Sequence, residues 1–278
     1  MSVIIDGNEI FSKIQDNIKV QVKNCMIRPS VAVIQVGDDV ISNYFVNQKE
    51  KTCSGVGVYF RLYKFEPDTP ELTIINKIKE LNNDEYVNGI IVQLPLPPQY
   101  NEKRLLNSIN NGKDVEGVTD INIGRFVNGK KSLIPPVALA VVKVLENNEI
   151  DISGKNAVVI GRSKNVGKPI ANILLSKDAT VTVCHTKTNN LSDITKNADI
   201  VVSACGVPNL ITKDMVKEDS IVIDVGMNGF NKNICGDVDE KVKDNVSVIS
   251  PIPNGVDVVS NAMLLENILL CYNSKKAK

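Results

Sequence analysis

Four stretches of this chain hold most of the chemistry it could do: one lysine, one glutamine, one acidic loop and one glycine-bearing turn. Lys49 stands four residues after Phe45 in the segment 41–54. Four residues make one helical turn, so the two side chains share a face. Gln93 closes the apolar run Gly89-Ile90-Ile91-Val92, at the strand end where ligand groups gather in open α/β sheets. Lys113-Asp114-Val115-Glu116-Gly117 is a short acidic loop; the commoner fate of such a cluster is a solvated turn. A lysine on an amphipathic helix is likewise most often a surface residue, so these residues alone leave that alternative open. His185 is the only histidine. A histidine triad or multi-histidine metal site is therefore nearly excluded, and no metal is expected.

The turn is Val158-Val159-Ile160-Gly161-Arg162-Ser163-Lys164-Asn165-Val166-Gly167-Lys168-Pro169. An apolar strand, a tight turn and a helix start in succession are how an α/β fold holds a dinucleotide pyrophosphate. Gly161 permits the turn, and Gly167 permits close packing of helix on strand. The usual G-x-G-x-x-G spacing fails at Ser163. A phosphate P-loop fails too, because the glycines are one residue too far apart and Pro169 stands where Ser or Thr would hold magnesium. From the turn alone, a plain strand–turn–helix connection remains open. The next strand, Ala179 to Val183, runs into Cys184-His185-Thr186-Lys187. An NAD site prefers Asp or Glu there for the ribose 2′-hydroxyl. A hydroxyl at Thr186 with cations at Lys187 and Arg162, and no acid, suits a 2′-phosphate, so NADP is favoured over NAD. Two later runs, 198–206 and 220–226, read as strands whose ends pass beside a cofactor, the second leading into Met227.

These positions need a scaffold, and the chain supplies one. Its 278 residues suggest two domains or one large one. Thirty-two basic residues balance 32 acidic ones, so there is no electrostatic case for nucleic acid or an anionic membrane. No apolar run reaches transmembrane length, and the N-terminus lacks the regions of a signal peptide. The six cysteines are scattered without C-x-x-C, which favours reduced thiols in a cytosolic protein. Ile10, Ile14, Ile18 and Val22 mark an amphipathic helix. Strands are expected at 30–36, 58–63, 89–95 and 246–249, with helices at 41–54, 72–81, around 105–109, 137–145, 170–175 and 262–270. The last helix is expected to pack on the first domain, and Lys275 to Lys278 to fray. Alternating strands and helices predict parallel, doubly wound α/β architecture.

Further segments stand in order along the chain: Val36-Gly37-Asp38 with Ser42, Lys49-x-Lys51-x-Cys53, Val56-Gly57, Val92-Gln93-Leu94-Pro95-Leu96-Pro97, Lys113-Asp114-Val115 with Gly117, Asn122-x-Gly124-Arg125 and the Val158–Pro169 turn. Thr180 to His185, Val222 to Gly226, Gly236-Asp237-Val238-Asp239 and Leu264-Leu265-Glu266-Asn267 complete the set. Together these segments resemble one family, the bifunctional methylenetetrahydrofolate dehydrogenase/methenyltetrahydrofolate cyclohydrolases.

The resemblance implies two α/β domains with a cleft between them. A folate-binding catalytic domain would be built from 1–140 plus 256–278, and a Rossmann-like NADP-binding domain from 141–255. It implies oxidation of 5,10-methylenetetrahydrofolate by NADP, then hydrolysis of the methenyl product to 10-formyltetrahydrofolate. The family's catalytic lysine falls on Lys49 and its glutamine partner on Gln93. A lysine in a partly dry pocket can exchange its proton near neutral pH. Phe45, Glu116 and Asp257 fall on the substrate side; Gly161, Arg162, Ser163, Thr186 and Met227 on the cofactor side. The family further implies a cytoplasmic homodimer serving purine biosynthesis.

Departures cluster on the folate side. Phe45 replaces the family's tyrosine, and Glu116 its pterin-binding aspartate. Pro253-Asn254-Gly255-Val256-Asp257 replaces a glycine-rich run. They leave two alternatives, a dehydrogenase with weak or absent cyclohydrolase and a non-catalytic NADP-binding relative.

Overall fold

The computed structural model describes residues 2–229 and 234–276. In chain order the elements are β1 (Val3–Ile4), α1 (Gly7–Lys23), β2 (Ser30–Val36), α2 (Val40–Val56), β3 (Tyr59–Phe65), α3 (Glu71–Asn83), β4 (Gly89–Val92), α4 (Glu102–Leu106), α5 (Asp120–Val127) and α6 (Pro136–Asn147). There follow β5 (Asn156–Ile160), α7 (Gly167–Leu175), β6 (Thr180–Cys184), α8 (Leu191–Thr195), β7 (Ile200–Ser203), β8 (Ile221–Asp224), β9 (Val248–Ser250) and α9 (Val256–Lys276). The chain forms two compact units. One takes the stretch up to Lys13 together with Pro135–Met263; the other takes Ile14–Ile134 and the chain from Leu264 on.

The second of these is built on a three-stranded parallel sheet in the order β3-β2-β4. Every residue of β2 is buried, as a near-continuous apolar run requires when both faces of a parallel strand are covered. Ala32, Ile34 and Val36 pack in one cluster with Ile74, Ile78 and Leu81 of α3 and with Leu105 and Leu106 of α4. On α2, the Asp39 side chain accepts from Ser42 N at the start, and Gly57 closes the end with φ +87°. Both devices satisfy backbone groups that a helix leaves orphaned at its ends.

The other unit is built on a six-stranded parallel sheet in the order β1-β9-β8-β7-β5-β6. β5 lies between β6 and β7, so the chain leaves it in opposite directions. That is the switch point at which doubly wound sheets open a ligand crevice beyond their strand ends.

Most elements fall where the residue pattern puts them, with four differences. β1 is too short to register as a period, yet it pairs with β9 and draws the N-terminal residues into the six-stranded unit. β4 stops at Val92, although Gln93 N still donates to Ile34 O of β2 at 2.8 Å; Leu94 and Pro95 lie outside the strand. α9 is longer than its apolar core, running from Val256 to Lys276. From Leu264 onward it counts with the smaller sheet. The expected frayed tail is helical through Lys276; Ala277 and Lys278 lie outside the described residues.

The acidic loop 113–117 is the fourth difference. It is not a solvated turn. Ile90 N donates to Lys113 O at 2.7 Å, so the loop runs beside β4 in parallel. Lys113 and Asp114 are both buried. Lys113 Nζ donates to the carbonyls of Leu81 and Asp84. Gly89 makes room for this, since a Cβ there would collide with Val115.

Candidate functional site

α2, the end of β4 and the acidic loop converge on one lysine. Lys49 Nζ lies 2.8 Å from Gln93 Oε1 and 2.8 Å from Glu116 Oε1. The Lys49 side chain is 14% exposed and that of Glu116 24%, so the group is sheltered but reachable. Gln93 is fixed in turn, its Nε2 donating to Leu94 O at 2.6 Å. That bond leaves Oε1 as the end that faces the ammonium. Phe45, one turn before Lys49 on α2, is half-buried and meets Tyr44 edge-on at 5.6 Å between ring centres. Its ring is one helical turn from Lys49 on the same helix. The structure therefore brings Lys49, Gln93, Glu116 and Phe45 into one unit.

Two supports escape sequence reasoning. Asp114 is fully buried and accepts from Val118 N, Thr119 N, Thr119 Oγ1 and Asn122 Nδ2. Four donors on one carboxylate fix the backbone just beyond Glu116. Asn267 of α9, 1% exposed, donates to Val115 O and Ile134 O and holds the loop from its other side. Neither residue has a spacing that announces this. The only signal is that both residues fall within segments that carry the family resemblance, which says nothing of their contacts.

Asp257 lies in the other unit, at the start of α9. Its carboxylate accepts from Gly255 N at 2.8 Å and Asn254 N at 3.3 Å. Burial pushes its carboxyl above the usual range, against the pull of those amides. What its contacts do is close the turn Pro253-Asn254-Gly255.

In the six-stranded unit, the cofactor-side residues all sit at the C-terminal edge of the sheet. Gly161 follows β5 with φ +118°, and a Cβ there would strike Ala204 O. A Cβ on Gly167 would strike Gly161 O. Glycine is thus obligatory at both ends of the turn. Ser163 Oγ accepts from Gly167 N at 3.2 Å, and Arg162 and Ser163 are exposed. Thr186 and Lys187 are exposed beyond β6, which pairs with β5 through Ile160 and Cys184. Arg162 and Thr186 therefore leave neighbouring strands at the same edge. Met227 follows β8, half-buried. No acid stands at the end of β6, and the cations on this edge fit a nucleotide bearing a 2′-phosphate.

The fold and this site define an α/β enzyme with a doubly wound nucleotide unit and a sheltered lysine–carboxylate centre. Comparison with known proteins narrows the class. The family model "Tetrahydrofolate dehydrogenase/cyclohydrolase, catalytic domain" matches residues 5–116, and its companion, the NAD(P)-binding domain, matches residues 135–276. The bifunctional protein FolD of Campylobacter hominis is 45% identical over 271 residues, covering 96% of this chain and 95% of its own. The crystal structure of FolD from Campylobacter jejuni is similar with a TM-score of 0.95 at 40% identity, covering 99% of this chain and all of that one. The Trypanosoma brucei enzyme, solved with NADP and an inhibitor, has a TM-score of 0.94 at 30% identity, covering 100% of this chain and 99% of that one. The chain belongs to the tetrahydrofolate dehydrogenase/cyclohydrolase family.

Proposed function

We propose that this enzyme oxidises 5,10-methylenetetrahydrofolate with NADP and hydrolyses the methenyl product to 10-formyltetrahydrofolate, with Lys49 as the proton-handling group of the hydrolysis. The observation that carries the assignment is the sheltered Lys49 ammonium, 2.8 Å from acceptors on both Gln93 and Glu116. An ammonium has three hydrogens, and these acceptors take two. The third is available to a water or to the oxygen that water becomes after adding to the methenyl carbon. Glu116 offers the proton a second resting place. When the carboxylate takes it, the amine is free to accept one from the attacking water, and the reverse transfer delivers it to the departing ring nitrogen. Gln93 fixes Nζ so that neither transfer requires the lysine to search. Phe45 provides an apolar face for the pterin ring beside this centre.

NADP supplies hydride acceptance at its nicotinamide carbon when bound. In this chain Gly161 and Ser163 shape the turn that would take the pyrophosphate, Arg162 and Thr186 would hold the 2′-phosphate, and Met227, just after β8, would border the cofactor. The family resemblance assigns Asp257 to the folate side; in this chain its carboxylate closes the turn before α9. By function the chain divides into a folate-binding domain from residues 1–140 and 256–278 and an NADP-binding domain from 141–255, a division distinct from the compact units, which count the stretch up to Lys13, 135–140 and 256–263 with the six-stranded sheet. The enzyme acts as a homodimer in the cytoplasm, feeding formyl groups to purine biosynthesis, and engages neither nucleic acid nor membrane. Among the described residues no helix is long and apolar enough to cross a membrane.

The test is an assay with methylenetetrahydrofolate and NADP that follows NADPH and the methenyl intermediate at separate wavelengths. NADPH rising without methenyl accumulation is the expected result. Methenyl accumulating in step with NADPH would remove the hydrolytic half of the proposal. No NADPH at saturating folate would remove the whole of it. Sedimentation of the pure protein checks the dimer.

A further inference from the structure

A second buried carboxylate, away from Lys49, gathers six donors from the ends of two neighbouring strands. Asp237 is fully buried. It accepts from three successive backbone amides, Cys205 N at 2.9 Å, Gly206 N at 3.2 Å and Val207 N at 2.8 Å. It also accepts from Ser203 Oγ at 2.9 Å, Cys205 Sγ at 3.2 Å and Asn228 Nδ2 at 3.1 Å. The three amides belong to the loop that leaves β7, and Asn228 to the loop that leaves β8. Both loops lie on the edge that carries the Gly161 turn, and β7 is the strand beside β5. Successive amides arranged like this form a nest that otherwise takes an external anion. Here the chain fills the nest itself, so this loop's donors are occupied and the pyrophosphate is left to the Gly161–Gly167 turn.

The neighbouring backbone makes the seat tight. A Cβ on Gly226 would collide with the Asp237 carboxylate, and a Cβ on Gly236 with that of Asp224. Asp224, at the end of β8, braces the arrangement by accepting from Gly226 N, Asp237 N and Val238 N.

We propose that Asp237 is a positioning residue for the cofactor: its carboxylate gathers the Cys205–Val207 amides and the Asn228 side chain, and so sets the shape of the edge against which the nicotinamide nucleotide binds. The proposal rests on the reading of this unit as the NADP site. It predicts a split between the enzyme's two activities. Hydrolysis of supplied methenyltetrahydrofolate uses Lys49 of the other unit and consumes no nucleotide, whereas the oxidation needs this edge in place.

Asp237→Asn keeps the shape but turns an NH2 toward a set of donors. The expected result is a KM for NADP raised tenfold or more, with a matching loss in direct NADP binding by titration calorimetry. Methenyl hydrolysis should stay within about twofold of wild type. A residue important only for general folding would lower both activities together, and that outcome overturns the proposal. An unchanged KM for NADP overturns it equally. If Asp237→Asn does not fold, Ser203→Ala removes one of the six donors and decides the matter: KM for NADP should rise severalfold with hydrolysis intact, and no change refutes the idea. Failure of the underlying reading looks different, because the wild-type protein would then show no NADP binding at all.

Discussion

At Lys49 the competition is between two uses of one ammonium, a static ion pair and a proton relay. A pair sheltered to this degree is costly to break by deleting one partner, because the other charge is left partly dry. Lys49→Ala should therefore do two things. It should lower methenyl hydrolysis by about two to four orders of magnitude, the usual range for a positioned general acid–base group. It should also leave NADPH formation measurable, since hydride transfer depends on orientation more than on this proton. Methenyl accumulating during turnover of the variant would be the direct sign. Glu116→Gln separates the relay from simple folate binding. Gln keeps the length and a hydrogen-bonding oxygen but cannot rest a proton. Hydrolysis should fall about tenfold or more while the dehydrogenase KM for folate changes less; equal losses in both would return Glu116 to a binding role. Helical spacing sets Lys49 and Phe45 on one helix face, and the strand pattern sets Gln93 at a strand end, but only the family resemblance pairs Lys49 with Gln93 and lifts it above a surface lysine. The Glu116 contact was not legible. It depends on a loop that looks solvated by composition and is in fact stitched to β4 through Ile90 N and Lys113 O.

Elements, not single side chains, place these groups, and the devices that fix them are backbone ones. The Gly161 turn can be read from its glycines, but the reason each must be glycine is a tertiary contact: Ala204 O for one, Gly161 O for the other. Gly167→Ala puts a methyl group against a backbone carbonyl that no rotamer change relieves. The expected cost is about 1–3 kcal/mol of stability. NADP affinity should fall at least tenfold because the turn itself must move, and hydrolysis should be the less affected activity. Thermal melts with and without NADP check both, since ligand bound only to the folded state raises the melting temperature by an amount that grows with the logarithm of its concentration over Kd. The short strand β1 shows the opposite limit of sequence reading. Two residues cannot carry a period, so its pairing with β9, which brings the N-terminal stretch to the six-stranded unit, is invisible until the sheet is seen. Asp114, Asn267 and Asp237 were hidden for a related reason. A buried hydrogen-bond hub is defined by partners far along the chain, and nothing in local composition marks it.

Across the whole molecule, equal numbers of basic and acidic residues leave no strong general field, so pH should act through a few buried groups. Asp224 is the clearest. Burial pushes its carboxyl up to about 6, amides from Val238 and Asp237 oppose the rise, and the Asp237 charge adds to it. Its folded value lies above its unfolded one. Between about pH 4 and 6 the folded state therefore holds the proton more strongly than the unfolded chain, and stability falls as pH rises through that window. The full penalty applies above about pH 6 and is relieved below about pH 4. A carboxyl raised this far costs the folded state roughly 3 kcal/mol at most once it is ionised. Asp237 acts in the other direction. Burial would raise it, but hydrogen bonds from Cys205 N, Asn228, Cys205 Sγ and Ser203 hold it below the usual carboxylate range. Its contribution is lost only at more acid pH, as pH falls below the unfolded value, so the two effects occupy separate windows. Urea unfolding of wild type and Asp224→Asn at pH 4.5 and pH 7.5 isolates the first. Asn cannot ionise, so on going from pH 7.5 to 4.5 wild type should gain about 1–3 kcal/mol relative to the variant. A difference that stays constant between the two pH values would show that Asp224 binds its proton equally in the folded and unfolded chain, so that burial does not raise its carboxyl.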